Sequence, residues 1–330
     1  MNSHGANEAK ANKTSTCVGE ESFQEFEELC LPMHVFGLLA SRKEEVSMSG
    51  LAASIVILVS ATGLLAGAEE GSFDKSLTVA GHVELDVKTD SGGITVRQGQ
   101  SGSVSIHAVL KAEHGWFGSS DVEGRIRELE RHPPVEQEGN RVRVGYVHQE
   151  GLLRNISMRL EIETPADTEL HAQADSGGIR IDGVHGPVDC KTDSGGIEIH
   201  DVSATVHAKA DSGGIHASNI NGSFFARVDS GGIDATGIAG SIDAQADSGH
   251  VRLAQTTPAP ITAKAESGGV TVRLAPGQGY DINAKTDSGR ISTPEMTVQS
   301  GFSSHHIEGK VGGGGPLVKI EVDSGSVTID

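Results

Sequence analysis

"DSGGIRIDGVHGPVDCKT" at 175–192, "DSGGIEIHDVSATVHAKA" at 193–210, "DSGGIHASNINGSFFARV" at 211–228 and "DSGGIDATGIAGSIDAQA" at 229–246 are four versions of one 18-residue unit. The fifth position is Ile179, Ile197, Ile215 and Ile233. The tenth is Val184, Val202, Ile220 and Ile238, and the fourteenth is Val188, Val206, Phe224 and Ile242. The sixteenth is small: Cys190, Ala208, Ala226 and Ala244. Apolar and polar residues alternate within each unit, which marks strands with one buried face. Eighteen residues cannot bury that face alone, so neighbouring units must stack. The reading is an all-β, single-domain β-solenoid with 18-residue coils, like positions superposed about 4.8 Å apart along the axis. A hexapeptide helix shares the coil length but needs an aliphatic residue every six positions, which is absent here.

The turn itself continues beyond the four units. "DSGH" stands at 247, "ESGG" at 266, "DSGR" at 287 and "DSGS" at 323, with a distant "DSGG" at 90. From Asp175 the steps are 18, 18, 18, 18, 19, 21 and 36 residues, the last reading as two periods. Composition fits a narrow interior. Aromatics are 3% of 330 residues, and there are 44 glycines. The net charge of −19 excludes nucleic acid as a partner class, because phosphate contacts need clustered Lys and Arg.

The acidic turn admits two readings. Glycine supplies the positive φ of a tight turn, and the preceding Asp can accept turn N–H groups as an Asx-turn. Stacked carboxylates repel by about 1 kcal/mol per neighbour in water. Lys191, Lys209 and Arg227, then Gln245, form a basic column that relieves this. Alternatively, Asp175, Asp193, Asp211, Asp229 and Asp247 could offer oxygen ligands to Ca²⁺. Even repetition favours architecture, since a catalytic centre clusters unlike residues on a few coils. No cofactor is expected, and Cys190 reads as a small buried hydrophobe.

Residues 50–68, "GLAASIVILVSATGLLAGA", are uncharged and come after Arg42 and Lys43. They read as an export signal ending at "AGA", or as a retained anchor giving membrane attachment. Either places the chain after Ala68 outside the cytoplasm, in the cell envelope or beyond. The organisation is then a polar extension at 1–47, a signal or anchor at 48–68, and a solenoid domain at 69–330. Met33 or Met48 could be the true start. Cys17 and Cys30 precede this segment, so Cys190 has no disulfide partner beyond it.

Between the turns at 90 and 175 the register is lost. "SSDVEGRIRELERHPP" at 119–134 reads as a helix capped by Ser120 or Asp121. Val122, Ile126 and Leu129 form its apolar face, and Pro133 and Pro134 end it. This insertion, 113–138, is expected to cap the solenoid. Trp116 and Phe117 either join that plug or contact a partner. At the far end, a glycine run precedes a final strand pair within "GKVGGGGPLVKIEVDSGSVTID". Among outward positions, six carries Arg180, Glu198, His216 and Asp234, and fifteen carries Asp189, His207, Phe225 and Asp243. Phe225 is the best single surface contact candidate.

"RLEIETPADTELHAQADSGGIRIDGVHGPVDCKTDSGGIEI" at 159–199 resembles the bacterial "putative adhesin" family. In that family a strand ends near a proline, a second strand comes next, and short Ser-Gly turns repeat. The resemblance spans about 73–330. It implies a β-helix-like fold and an envelope location, and supplies no catalytic residues. The function expected is a non-catalytic envelope binding or structural module facing a cell-surface polymer or protein. The rival expectations are a polysaccharide-acting enzyme and a membrane-anchored sensor.

Overall fold

Each repeat unit becomes two strands joined by two turns. The computed structural model describes residues 70–113, 121–149, 151–293, 297–300 and 303–330. Segment 50–68 and the extension before it lie outside the described residues. Among those described, the strands form two sheets of 12 and 13 members that do not close on each other. One sheet takes the first half of each unit, as in Ile197–Val202, Ile215–Ile220 and Ile233–Ile238. The other takes the second half through the next serine, as in Val188–Ser194, Val206–Ser212 and Phe224–Ser230. Pairing along the repeats is parallel and in register.

The expected files are continuous. Ile94, Ile179, Ile197, Ile215, Ile233, Val251, Val270, Val327 and Ile291 succeed one another across the 12-stranded sheet. All are buried. Facing them, Val87, Ala172, Cys190, Ala208, Ala226, Ala244 and Ala263 form a file of mostly small side chains in the 13-stranded sheet. Branched aliphatics on one side and alanines on the other leave little room for aromatic rings. Truncating one member of the aliphatic file, such as Ile215→Ala, should cost about 2–5 kcal/mol, because rigid neighbours cannot collapse into the gap. The second turn of each unit uses a left-handed residue at position nine. Gly183, Asp201, Asn219 and Gly237 have φ of 75°, 56°, 57° and 72°. Asp and Asn tolerate that region better than other side chains.

One expectation about order fails, at the C-terminal end. The outlying turn at 90 joins the stack directly: Ser91 pairs with Ser176 and Ile94 with Ile179. The rung holding Val83–Ser91 and Ile94–Gln98 lies between the first repeat and the strands Arg141–Val144 and Ile156–Thr164. At the other end, the 36-residue step is not two sequential periods. Strand Leu317–Ser324 inserts between Ile261–Ser267 and Tyr280–Ser288. Val327–Ile329 likewise separates Val270–Arg273 from Ile291–Ser292. The chain's final strand pair is therefore inside the stack. Outside it, His306–Val311 pairs antiparallel with Tyr280–Ser288, and Thr297–Ser300 pairs with it in turn and forms the edge.

The helix spans Val122–Arg131 and buries Val122, Ile126 and Leu129, as its spacing predicts. Asp121 does not cap it through its side chain. The Asp121 carboxylate instead lies 3.3 Å from Arg125. Arg125 ties the helix to the 151–154 loop by donating to the carbonyls of Gly151, Leu152 and Arg154. The helix packs beside Glu70–Thr78, the outermost strand of its sheet, where the Ser72 N–H donates to Glu130 at 3.0 Å. An edge N–H is thereby covered, which protects the end of the stack.

Candidate functional site

The acidic turns form a column whose geometry accounts for the glycines. Gly177, Gly195, Gly213 and Gly231 have φ between 130° and 149°. Each packs against the carbonyl of the glycine one rung earlier: a Cβ on Gly213 would lie 2.0 Å from the Gly195 oxygen. The Asx-turn expectation is not met. The glycine N–H that an Asx-turn would use donates instead to the serine carbonyl of the next rung. Gly177 N–H reaches Ser194, and Gly195 N–H reaches Ser212, both at 2.8 Å. Inter-rung pairing thus continues through the turn.

The carboxylates, freed from the turn, pair with the basic column two residues back. Lys191 lies 3.0 Å from Asp193, and Lys209 lies 2.9 Å from Asp211. Arg227 stands between Asp229 at 3.6 Å and Asp247 at 3.7 Å. Asp193, then Asp211 and Asp175, raises the pKa of Lys191. Lys209 holds the Asp211 carboxyl below its ordinary range. Among the described residues, no three His, Cys, Asp or Glu side chains converge as a metal set. Cys190 is buried between Ala172 and Ala208 in register, and desolvation pushes its thiol pKa up.

Position fifteen is different. The His207 and Phe225 rings stack with centroids 4.5 Å apart and planes 4° apart. Asp189 and Asp243 flank them on the neighbouring rungs. Because Lys209 and Arg227 lean toward the turn carboxylates, a trough of about 260 Å³ opens beside the rings. Cys190, Ala208 and Ala226 form its floor, and Lys209, Arg227 and Gln245 its second wall. Phe225 is thus an outward aromatic, while Phe73 and Phe224 are buried. Trp116 and Phe117 lie outside the described residues.

Position six belongs to a longer row than the repeats disclose. Asp74, His107, Glu161, Thr95, Arg180, Glu198, His216, Asp234 and Arg252 stand side by side across the 12-stranded sheet. His107 lies 2.8 Å from Asp74, and Arg180 pairs with Glu198. Asp234 contacts His250 at 3.0 Å and Arg252 at 3.1 Å. Desolvation pulls its pKa up, but His250 and Arg252 outweigh it and leave the carboxyl below its ordinary value. Opposite charges on adjacent strands stabilise a sheet and like charges weaken it. Over the start of this row lies a second hollow, of about 520 Å³, lined by Asp74, Arg97, His107, Glu161 and Glu163 among others. Reading the repeats alone misses Asp74, His107, Glu161 and Glu163, since their strands follow no DSGG turn, whereas Arg97 follows the one at 90.

Comparison with known families draws on the stacked two-sheet region. A family model described as Toastrack, DUF4097, matches residues 82–330. The chain belongs to the Toastrack family. The match begins one residue before the first in-register strand, Val83–Ser91, and runs to the last residue. Solved structures are also similar to this Toastrack chain. A "putative adhesin" from Bacteroides fragilis is 11% identical, with 78% of this chain and 97% of that chain covered, at TM-score 0.43. A "putative adhesin" from Parabacteroides distasonis is 10% identical, covering 80% and 98%, at TM-score 0.32. A "putative lipid binding protein" from the same species is 11% identical, covering 79% and 97%, at TM-score 0.28. No curated protein matches the chain. Among the described residues, no helix is long and apolar enough to cross a membrane.

Proposed function

We propose that this Toastrack protein is a non-catalytic binding module of the cell envelope, displaying its outer sheet faces to a cell-surface polymer or protein. The observation that supports this reading is the self-pairing of the repeated charges. Asp193, Asp211 and Asp229 each have a Lys or Arg from the same strand. These three carboxylates are therefore taken by cations of their own strands, and the faces between them are left for contact. Export through 50–68 would deliver those faces to the envelope.

Fractionation of cells, combined with sedimentation of the purified chain with isolated envelopes, tests the reading. The expected result is recovery in the envelope fraction and saturable co-sedimentation. A chain confined to the cytoplasm that leaves envelopes unbound would overturn it.

A further inference from the structure

The trough beside His207 and Phe225 carries an inference that rests on the display-surface reading and gives it a ligand. We propose that this trough is a binding subsite for a neutral glycan, one sugar ring of which packs against the His207–Phe225 pair.

Three observations lead there. First, the rings are preorganised. They stack nearly parallel on adjacent rungs, where register pairing fixes both backbones. A rigid aromatic pair offers apolar contact at little entropic cost. Each ring covers the other's inner face, so the flat, apolar C–H face of a pyranose is complementary to the outer face of Phe225, on the Asp243 side.

Second, hydrogen-bonding groups of both kinds surround the rings. Asp189 and Asp243 offer acceptors at the two ends, and Lys209, Arg227 and Gln245 offer donors along the opposite wall. Sugar hydroxyls need both. Lys209 and Arg227 are already engaged by turn carboxylates, and the chain carries −19 overall. An anionic polymer would meet repulsion, and both cations lining the trough are already paired, so the glycan is neutral.

Third, the backbone offers nothing to a peptide. Extended peptides bind sheets by adding a strand at an open edge. Phe224–Ser230, at the trough, has its neighbours Val206–Ser212 and Ile242–Ser248 on both sides. Its main-chain groups are already in the ladder. A glycan requires only side chains. The rungs below recur about every 4.8 Å, close to the length of one pyranose ring, so a linear glycan can run along the axis.

The test uses the full-length chain and a panel of soluble neutral oligosaccharides built from glucose, mannose, galactose or N-acetylglucosamine, with titration calorimetry and ligand-observed NMR. At least one should bind, and Phe225→Ala and His207→Ala should each weaken it about tenfold, as loss of one stacking partner implies. Lys285→Ala, on the same sheet but three rungs beyond Gln245, should bind as the parent does. Thermal unfolding of each variant establishes that it folds. No binding to any oligosaccharide, or equal binding by Phe225→Ala, overturns the subsite; so does binding of a peptide in its place. Envelope co-sedimentation separates the two levels. If Phe225→Ala sediments with envelopes like the parent, the trough is wrong and the display-surface reading stands. If the parent fails to sediment, that reading itself falls.

Discussion

Gly195 packs so closely on Gly177 that a Cβ on Gly195 would lie 2.1 Å from the Gly177 carbonyl oxygen. Its φ of 149° is also one that side chains rarely adopt. The next residue is a built-in control. A Cβ on Gly196 would meet the Gly214 oxygen at 3.5 Å, an ordinary contact. Gly195→Ala should therefore destabilise by about 3 kcal/mol or more, from strain and a backbone clash together. Gly196→Ala should stay within about 1 kcal/mol. Denaturant unfolding of the two variants checks this, and equal losses would mean that the turns do not stack as described.

Much of this column is visible in the chain before folding. The aliphatic file through Ile179, Ile197, Ile215 and Ile233 derives from period-two alternation and a fixed repeat, both local properties. The rung order at the C-terminal end does not. The rungs at Asp287 and Asp323 carry similar inward residues: Ile282, Ala284 and Thr286 against Val318, Ile320 and Val322. Either could sit next to Ile261–Ser267. What distinguishes them is non-local, since His306–Val311 covers the outer side of Tyr280–Ser288. The site divides the same way. Phe225 stands out in an alignment of units because it breaks a polar column. The Asp74–His107–Glu161 segment of the charged row is assembled by antiparallel strands that have no repeat to align.

Cys190 should behave as a core atom. It occupies a slot between alanines, and its buried thiol is held in the protonated form. A thiolate is the reactive species, so alkylation needs opening of the stack. Peptide mapping after iodoacetamide treatment should find Cys190 unmodified in the native chain and modified in denaturant. Cys190→Ala should cost about 1 kcal/mol, whereas Cys190→Leu should overpack the file and cost about 1–3 kcal/mol. Rapid native labelling would contradict the packing.

Tyr280 is a fully buried side chain with its hydroxyl in a small polar network. It accepts from the Ala275 N–H at 3.1 Å and donates to Gln255 at 3.3 Å. Gln255 also donates to the Gly240 and Ala259 carbonyls. This network lies where Gln255 succeeds Ile238 in the inner file. Tyr280→Phe keeps the ring but leaves the Ala275 N–H without its acceptor. A loss of about 1–3 kcal/mol in denaturant unfolding is expected, the penalty of an unsatisfied buried donor. A neutral substitution would mean that water replaces the hydroxyl.

His82 makes stability depend on pH with a definite sign. Its Nδ1 lies 2.9 Å from Asp167, and its Nε2 lies 3.8 Å from Glu169. Asp167 is the main cause of a raised imidazole pKa, with Glu169 adding to it and slight desolvation opposing both. The folded chain therefore holds the proton more tightly than the unfolded chain, whose imidazole has a pKa of about 6.5. This contribution is complete below the unfolded value and disappears as pH rises through the folded one. Solvent exposure keeps it small. Asp167→Asn removes the principal partner, so the gap in melting temperature between parent and variant should be wider at about pH 5.5 than at about pH 8.5. Asp234 should act in the opposite direction: its lowered pKa contributes above the unfolded carboxylate value, about 3.9, and is lost as pH falls through the folded one. Melting curves of the parent and Asp167→Asn across that range decide the matter, and a constant gap would show that His82 does not feel Asp167.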